Sequence, residues 1–188
     1  MIRVASGALR GMSLAVPRHI RATESKVRQA LFNIVGDAVQ GASVVDGFAG
    51  SGALGIEALS RGASRVVFLE AHPESLDAIR RNLAQIAPGR VGGSWDVLPG
   101  DAANSLQSLA ARGFTADLVL LDPPYDEETG KKALNDLASC GILTPASLLC
   151  LEHPRWSALP PTVGLLARVR QHRYGETVLS FYHHQRIP

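Results

Sequence analysis

From Ser43 to Glu152, short apolar runs alternate with stretches of helical periodicity, and this alternation constrains the fold more than any other feature of the chain. The runs at 43–46, 65–70, about 94–98, 117–122 and 147–152 have the length and β-branched content of strands. Helical patterns lie near 53–61, 73–86, 103–111 and 130–139. Such alternation predicts a parallel sheet covered by helices on both faces. Two later runs, roughly 164–173 and 176–184, read as two strands that turn at Tyr174-Gly175. With 188 residues, 46% of them hydrophobic, the chain is long enough for one domain with a substantial core and too short for two full ones.

A separate unit precedes the alternation. Ile2-Arg3-Val4 and Met12-Ser13-Leu14-Ala15-Val16 read as a β-hairpin with Arg10-Gly11 near its turn. Thr23 is then placed to cap a helix whose Val27, Ala30, Leu31, Ile34 and Val35 recur at helical spacing, with Gly36 as its stop. The expected division is a basic hairpin extension over residues 1–22 and one domain over 23–188. Residues 1–30 hold Arg3, Arg10, Arg18, Arg21, Lys26 and Arg28 against the single acid Glu24, an excess of +5. The whole chain has a net charge of +2, so the remainder carries −3. A basic segment on an acidic body suits the binding of phosphates, and Arg3, Arg10, Arg18, Arg21 and Arg28 are the candidate RNA contacts. A second basic cluster comprises Arg168, Arg170, His172 and Arg173.

Two motifs carry chemistry. Ser43-Val44-Val45-Asp46 runs into a glycine-rich turn in which Gly50, Gly52 and Gly55 have G-x-G-x-x-G spacing ahead of a helix. Glycines there allow a ligand to approach the backbone and aim a helix N-terminus at a negative group. Glu70 ends the next strand, where an acid can accept both hydroxyls of a ribose. The other motif is Asp122-Pro123-Pro124-Tyr125, at the exit of the strand Leu118-Val119-Leu120-Leu121. Each proline removes an N–H donor and fixes φ, which leaves a rigid, acceptor-rich corner. A flipped nucleobase could stack on Tyr125 while its exocyclic amine donates to the Asp122 carboxylate and the Pro123 carbonyl.

Glycine spacing of this kind also suits a nicotinamide protein. A dehydrogenase would need a substrate region with a proton-transfer residue, and little sequence remains for one. Transfer to an amine, by contrast, would use the acceptor corner. The loop is therefore read as binding S-adenosylmethionine, its carboxylate taking the helix-terminus position. Asp46, Glu70, Asp101 and Asp122 all fall at or just past predicted strand ends, although any one could be a helix cap instead.

The chain resembles the small-subunit ribosomal RNA guanine-N2 methyltransferases, a bacterial family of short class I methyltransferases. The resemblance rests on Arg3-Val4-Ala5-Ser6-Gly7, Leu9-Arg10-Gly11, Arg21-Ala22-Thr23 and Val27 to Asn33. It continues over Phe48 to Ala63, Asp122-Pro123-Pro124-Tyr125 and Tyr174-Gly175-Glu176-Thr177. Two departures are Ala22, where the family usually has proline, and Gly47, where a larger residue is common. The resemblance implies an α/β class I methyltransferase fold, Rossmann-like, with a seven-stranded mostly parallel sheet and an N-terminal β-hairpin extension. It also implies 16S rRNA as partner, on a partly assembled small subunit, with guanine N2 as the acceptor. S-adenosylmethionine would lie against Asp46, Phe48, Ala49, Gly50, Ser51, Gly52, Glu70, Asp101, Ala102 and Asp122. Asp101 would accept from the adenine amine and Asp46 would orient the methionine amine. Asp122, Pro123 and Tyr125 would hold the target base.

The residues alone leave guanine N2 and adenine N6 open, because the corner suits either amine. A DNA adenine methyltransferase is disfavoured by the lack of room for a target-recognition region, and a non-catalytic RNA-binding factor by the intact motifs. Cys140 and Cys150 lack metal-ligand spacing, so neither a zinc site nor a disulfide framework is suggested. No run approaches a membrane span and no apolar signal core opens the chain. A cytoplasmic monomer without a metal is the expectation.

Overall fold

The computed structural model describes residues 2–18, 25–124 and 127–185. Its order is β1 (Ile2–Arg3), β2 (Ser13–Leu14), α1 (Ser25–Val35), β3 (Ser43–Gly47), α2 (Ala53–Ser60), β4 (Arg65–Glu70), α3 (Pro73–Ala84) and β5 (Ser94–Pro99). There follow α4 (Ala102–Ala111), β6 (Ala116–Leu121), α5 (Glu127–Cys140), β7 (Leu143–Pro154), β8 (Thr162–Val163), β9 (Leu166–Tyr174) and β10 (Thr177–His184). The main sheet runs β5-β4-β3-β6-β7-β10-β9-β8. Strands β3 to β7 are mutually parallel, and β10 lies antiparallel between β7 and β9. This is the α/β, seven-stranded, mostly parallel arrangement expected, with the two-residue β8 added at one edge.

Period-two alternation decides which helix covers which face. Val44, Val66, Phe68, Leu118, Leu120 and Cys150 point to α1, α2 and α3, whereas Val45, Val67, Leu69, Val119, Leu121 and Leu149 point to α4 and α5. Both sides of the central strands are therefore buried, which is why they read as unbroken apolar runs. Phe68 is fully buried under α2, and a Cβ on Gly55 would come 2.3 Å from its ring. The last glycine of the loop motif thus serves close helix-to-strand packing.

The hairpin pairs Ile2 with Leu14 and Arg3 with Ser13, so its ladder is shorter than the apolar pattern suggested. Ile2, Val4, Leu9 and Leu14 are buried in the same core as α1 to α3. Backbone bonds fix the hairpin to α2. The Ala5 and Ser6 N–H groups donate to the Glu57 carboxylate at 2.7 and 3.0 Å. Ala8 N–H donates to the Ser60 carbonyl at 2.8 Å, and Leu9 N–H to the Ser60 hydroxyl at 2.9 Å. On α3, Asn82 exchanges bonds with both backbone groups of Ala15, at 2.8 and 2.9 Å. Gly7 meets α2 closely: its φ is +81°, and a Cβ there would lie 1.8 Å from the Ser60 carbonyl oxygen.

One candidate RNA contact is corrected here. Arg28 is 1% exposed, donates to the Arg3 carbonyl at 2.6 Å and lies 3.7 Å from Glu57. It fastens the hairpin to the core and cannot meet a phosphate outside. Burial pulls its guanidinium below the usual value, and Glu57 opposes that shift. The charge count could not distinguish this arginine from its exposed neighbours. Arg3, Arg10 and Arg18 are exposed, as a phosphate-binding segment needs. Arg21 and the helix cap assigned to Thr23 lie outside the described residues.

Glu57 is the fourfold junction of this contact, since Arg61 also bonds it at 2.9 Å. Replacing Glu57 with alanine strands a buried arginine and two backbone donors, and breaking a buried pair costs about 3–5 kcal/mol. Urea unfolding of Glu57→Ala should show a loss of that order. A loss below about 1 kcal/mol, the range of surface pairs, would mean that the junction contributes little to stability.

Candidate active site

A cleft of about 560 Å³ opens at the carboxyl ends of β3 to β6. Open parallel sheets bind ligands at these ends. Among the expected residues, Asp46, Phe48, Ala49, Gly50, Ser51, Glu70, Asp101, Ala102, Asp122 and Pro123 line it. Gly52 does not; it stands behind the loop with φ +77°, and its N–H donates to the Ala49 carbonyl at 2.7 Å. Tyr125 lies outside the described residues.

The loop after β3 is held by the acids it carries or faces. Gly50 N–H donates to Glu70 at 2.7 Å, and the other Glu70 oxygen accepts the His72 N–H at 2.7 Å. The expected ribose acceptor is thereby also the clamp on the glycine turn. Phe48 has φ +62°, the one non-glycine residue with positive φ among the described residues. For an L-residue that conformation costs about 1–2 kcal/mol. Ala49 N–H donating to the Leu69 carbonyl at 3.0 Å helps to impose it.

Asp46 is 1% exposed, and its carboxylate accepts the Gly55 N–H of α2 at 2.7 Å. Part of the acceptor expected at this helix terminus is therefore supplied by the protein. Burial pushes the Asp46 carboxyl well above the usual carboxylate range, the Gly55 bond opposes this, and the charges of Asp122 and Glu70 add to the rise. Asp101 caps α4: it accepts Asn104 N–H at 3.0 Å and is also bonded by the Asn104 side chain. Those bonds, the backbone one foremost, draw its pKa down. Asp122 follows β6 directly, half-buried, with Pro123 buried beside it.

Ile2, Ala53, Leu54, Leu69, Ala71, His72, Ser75, Gly100 and Pro124 complete the lining and were not among the candidates. His72 and Ser75 follow Glu70 by two and five residues, so the strand end itself was a usable signal. Ile2 had none, because its place depends on how the hairpin docks. Glu70, Asp101 and Asp122 at one rim, with the buried Asp46 beside them, suit a ligand that carries positive charge and would repel a pyrophosphate. The apolar remainder of the lining suits a flat ring.

A sequence model of the family described as Conserved hypothetical protein 95 matches residues 2–183. The chain belongs to that family. Ribosomal RNA small subunit methyltransferase D of Escherichia coli is 31% identical over 185 residues, covering 96% of this chain and 89% of that protein. YlbH of Bacillus subtilis is 34% identical over 183 residues, covering 96% and 98%. The solved structure of yhhF from Escherichia coli superimposes with a TM-score of 0.83 at 31% identity, covering 98% of each chain. The more distant SMU.776, solved complexed with SAH, shares the fold alone, at 15% identity and a TM-score of 0.61 over 87% of this chain and 50% of that one. Among the described residues no helix is long and apolar enough to cross a membrane, and no cluster of His, Cys, Asp or Glu could hold a metal.

The raised Asp46 pKa has a definite sign in folding. The folded carboxyl keeps its proton above the pH at which the unfolded one, near 3.9, loses it. Its contribution to stability is thus complete below about pH 4 and is lost as pH rises toward the folded value. Urea midpoints of the ligand-free protein should therefore fall over that window relative to Asp46→Asn, in which nothing titrates. Parallel pH profiles for the two proteins would show that Asp46 ionises normally.

Proposed function

We propose that the protein transfers a methyl group from S-adenosylmethionine to the exocyclic N2 amine of one guanine in 16S rRNA. The observation that carries this reading is the continuity of one cleft from the glycine loop and Glu70 to the Asp122-Pro123-Pro124 corner. The methyltransferase relative from Escherichia coli supports both the reaction and the RNA. The substrate is a partly assembled small subunit in the cytoplasm, and the protein acts as a monomer.

The residues fit S-adenosylmethionine in charge and shape. Asp46 would hold its ammonium, Glu70 its ribose, and Asp101 with Ala102 its adenine, while the main chain of Phe48 to Ser51 would meet the remainder. When bound, the cofactor supplies a methyl group made electrophilic by a sulfonium. Everything else falls to the chain. The guanine N2 lone pair is delocalised, so Asp122 and the Pro123 carbonyl accept its hydrogens and favour a pyramidal nitrogen. As positive charge develops there, the Asp122 carboxylate is already in place to stabilise it. Holding the amine in line provides a further gain through proximity. Tyr125 stacks on the base, and the exposed Arg3, Arg10 and Arg18, with Arg21, hold phosphates so that charge gives affinity while the pocket selects the base.

Mass spectrometry of 16S rRNA nucleosides from cells with and without the gene tests the whole reading. Loss of one N2-methylguanosine is expected; loss of N6-methyladenosine, or no change, would overturn it. Within the site, Glu70→Ala should weaken S-adenosylmethionine by about 1.5–3 kcal/mol, since it removes charged acceptors. Unchanged affinity in calorimetry would take Glu70 out of the cofactor site. Asp122→Ala should leave cofactor binding intact while lowering the single-turnover rate by about two orders of magnitude or more, the scale set by losing one preorganised stabilising group. A near-wild-type rate would remove Asp122 from the chemistry.

A further inference from the structure

Trp156 is 61% exposed, whereas Trp95, the other tryptophan, packs against the core. A large indole held in water at the rim of an active site calls for an explanation. Its position follows from the sheet register. Leu151 of β7 stands level with Leu121 of β6, so where β6 ends before Asp122, β7 stays in the sheet against β10, with Glu152 level with Leu179. Strand β7 continues to Pro154, and Trp156 follows it in the turn at the same edge of the sheet as the cleft.

The turn is fastened to elements of the acceptor corner. Ser157 N–H donates to the Pro154 carbonyl at 3.0 Å, and Ala158 N–H bonds Glu127, the first residue of α5 and three positions after Pro124. Arg155 N–H donates to the Glu176 carbonyl at 2.8 Å, which joins the turn to the β9–β10 connection. The Trp156 turn therefore lies at the carboxyl edge of the sheet, at the end of the strand next to the one that carries Asp122, on the side away from β3 to β5.

The charges around it favour an anion. Arg155 is paired to Glu176 at 2.6 Å, with both side chains largely in water. Arg173 is exposed, and its Nε donates to the Gly175 carbonyl at 3.0 Å. Among the described residues no carboxylate forms an ion pair with Arg173. Of the C-terminal basic cluster, Arg168 is half-buried and bonds the Leu159 carbonyl at 3.1 Å, so Arg173 is the member nearest this rim. Trp156 follows Arg155 and Arg173 bonds the neighbour of Glu176, so an exposed aromatic ring and an unpaired guanidinium flank one junction, a combination that binds single strands, the ring taking a base and the cation a phosphate.

We infer that Trp156 and Arg173 form a docking surface for the single-stranded RNA flanking the target nucleotide, with a neighbouring base stacked on the indole. The inference rests on the RNA-methyltransferase reading for the presence of that strand, and the hairpin arginines would hold RNA at a different part of the rim. Together they place contacts on two sides of one flipped base.

Fluorescence anisotropy with a short labelled single-stranded oligoribonucleotide tests the surface directly. Trp156→Ala should weaken binding by about 5- to 150-fold, the loss of one stacked base, with Trp156→Phe keeping most of the affinity. Cofactor affinity should not move. In a Trp95→Phe background the remaining tryptophan emission should be quenched by the oligonucleotide. Unchanged affinity of Trp156→Ala, or unquenched emission, would overturn the assignment. Normal binding of naked RNA combined with impaired methylation of partly assembled subunits would also overturn it, and would point to a ribosomal protein. If RNA binds through Trp156 but the wild-type protein methylates no rRNA, the surface stands and the enzymatic reading fails.

Discussion

The two ends of α2 hold the molecule together. Gly55, in its first turn, donates to the buried Asp46 at the end of β3. Glu57 and Ser60, further along the same eight-residue helix, bind the backbone of the N-terminal hairpin. A carboxylate buried at each end would be costly alone. Each is offset by N–H donors that would otherwise lack partners, which is the condition under which buried polar groups are tolerated. One short helix thus positions both the loop that faces the cofactor cleft and the hairpin whose Ile2 lines that cleft.

The acids at the strand ends divide the remaining work. Glu70 holds the glycine turn by the Gly50 N–H, and Asp101 starts α4 as its cap. These are structural duties, and both residues still line the cleft because the strand ends themselves lie there. The cap reading and the ligand reading are compatible at one residue, since a carboxylate offers about four acceptor positions. Asp46 differs in being buried away from water, so its charge is costly until a cation arrives. On the proposed reading the cofactor ammonium supplies that cation, and binding and ionisation at Asp46 favour one another.

Sheet and helices were legible because both faces of the central strands are apolar and the helices between them carry one apolar stripe each. The strand at 65–70 and the acids after β4 and β6 follow directly from that pattern. The hairpin was legible as an element but not as a packed one. Glu57, Ser60 and Asn82 bond to segments 51 to 67 positions away, and no local spacing encodes such pairs. Arg28 was misjudged for the same reason: composition counts charges without knowing which are enclosed. Gly55 fitted a ligand motif, yet the structure shows it making room for Phe68. Trp156 carries no sequence signal, because a single tryptophan in a polar stretch has no periodicity to interpret.

The central claim is that one cleft joins a cofactor end at Glu70 to an acceptor end at Asp122. Crystals grown with S-adenosylhomocysteine test it most directly. The account predicts density along the cleft with the ribose hydroxyls on Glu70, the amine beside Asp46 and the sulfur facing Asp122. A ligand bound elsewhere, or reversed so that its sulfur faces Asp101, would contradict it.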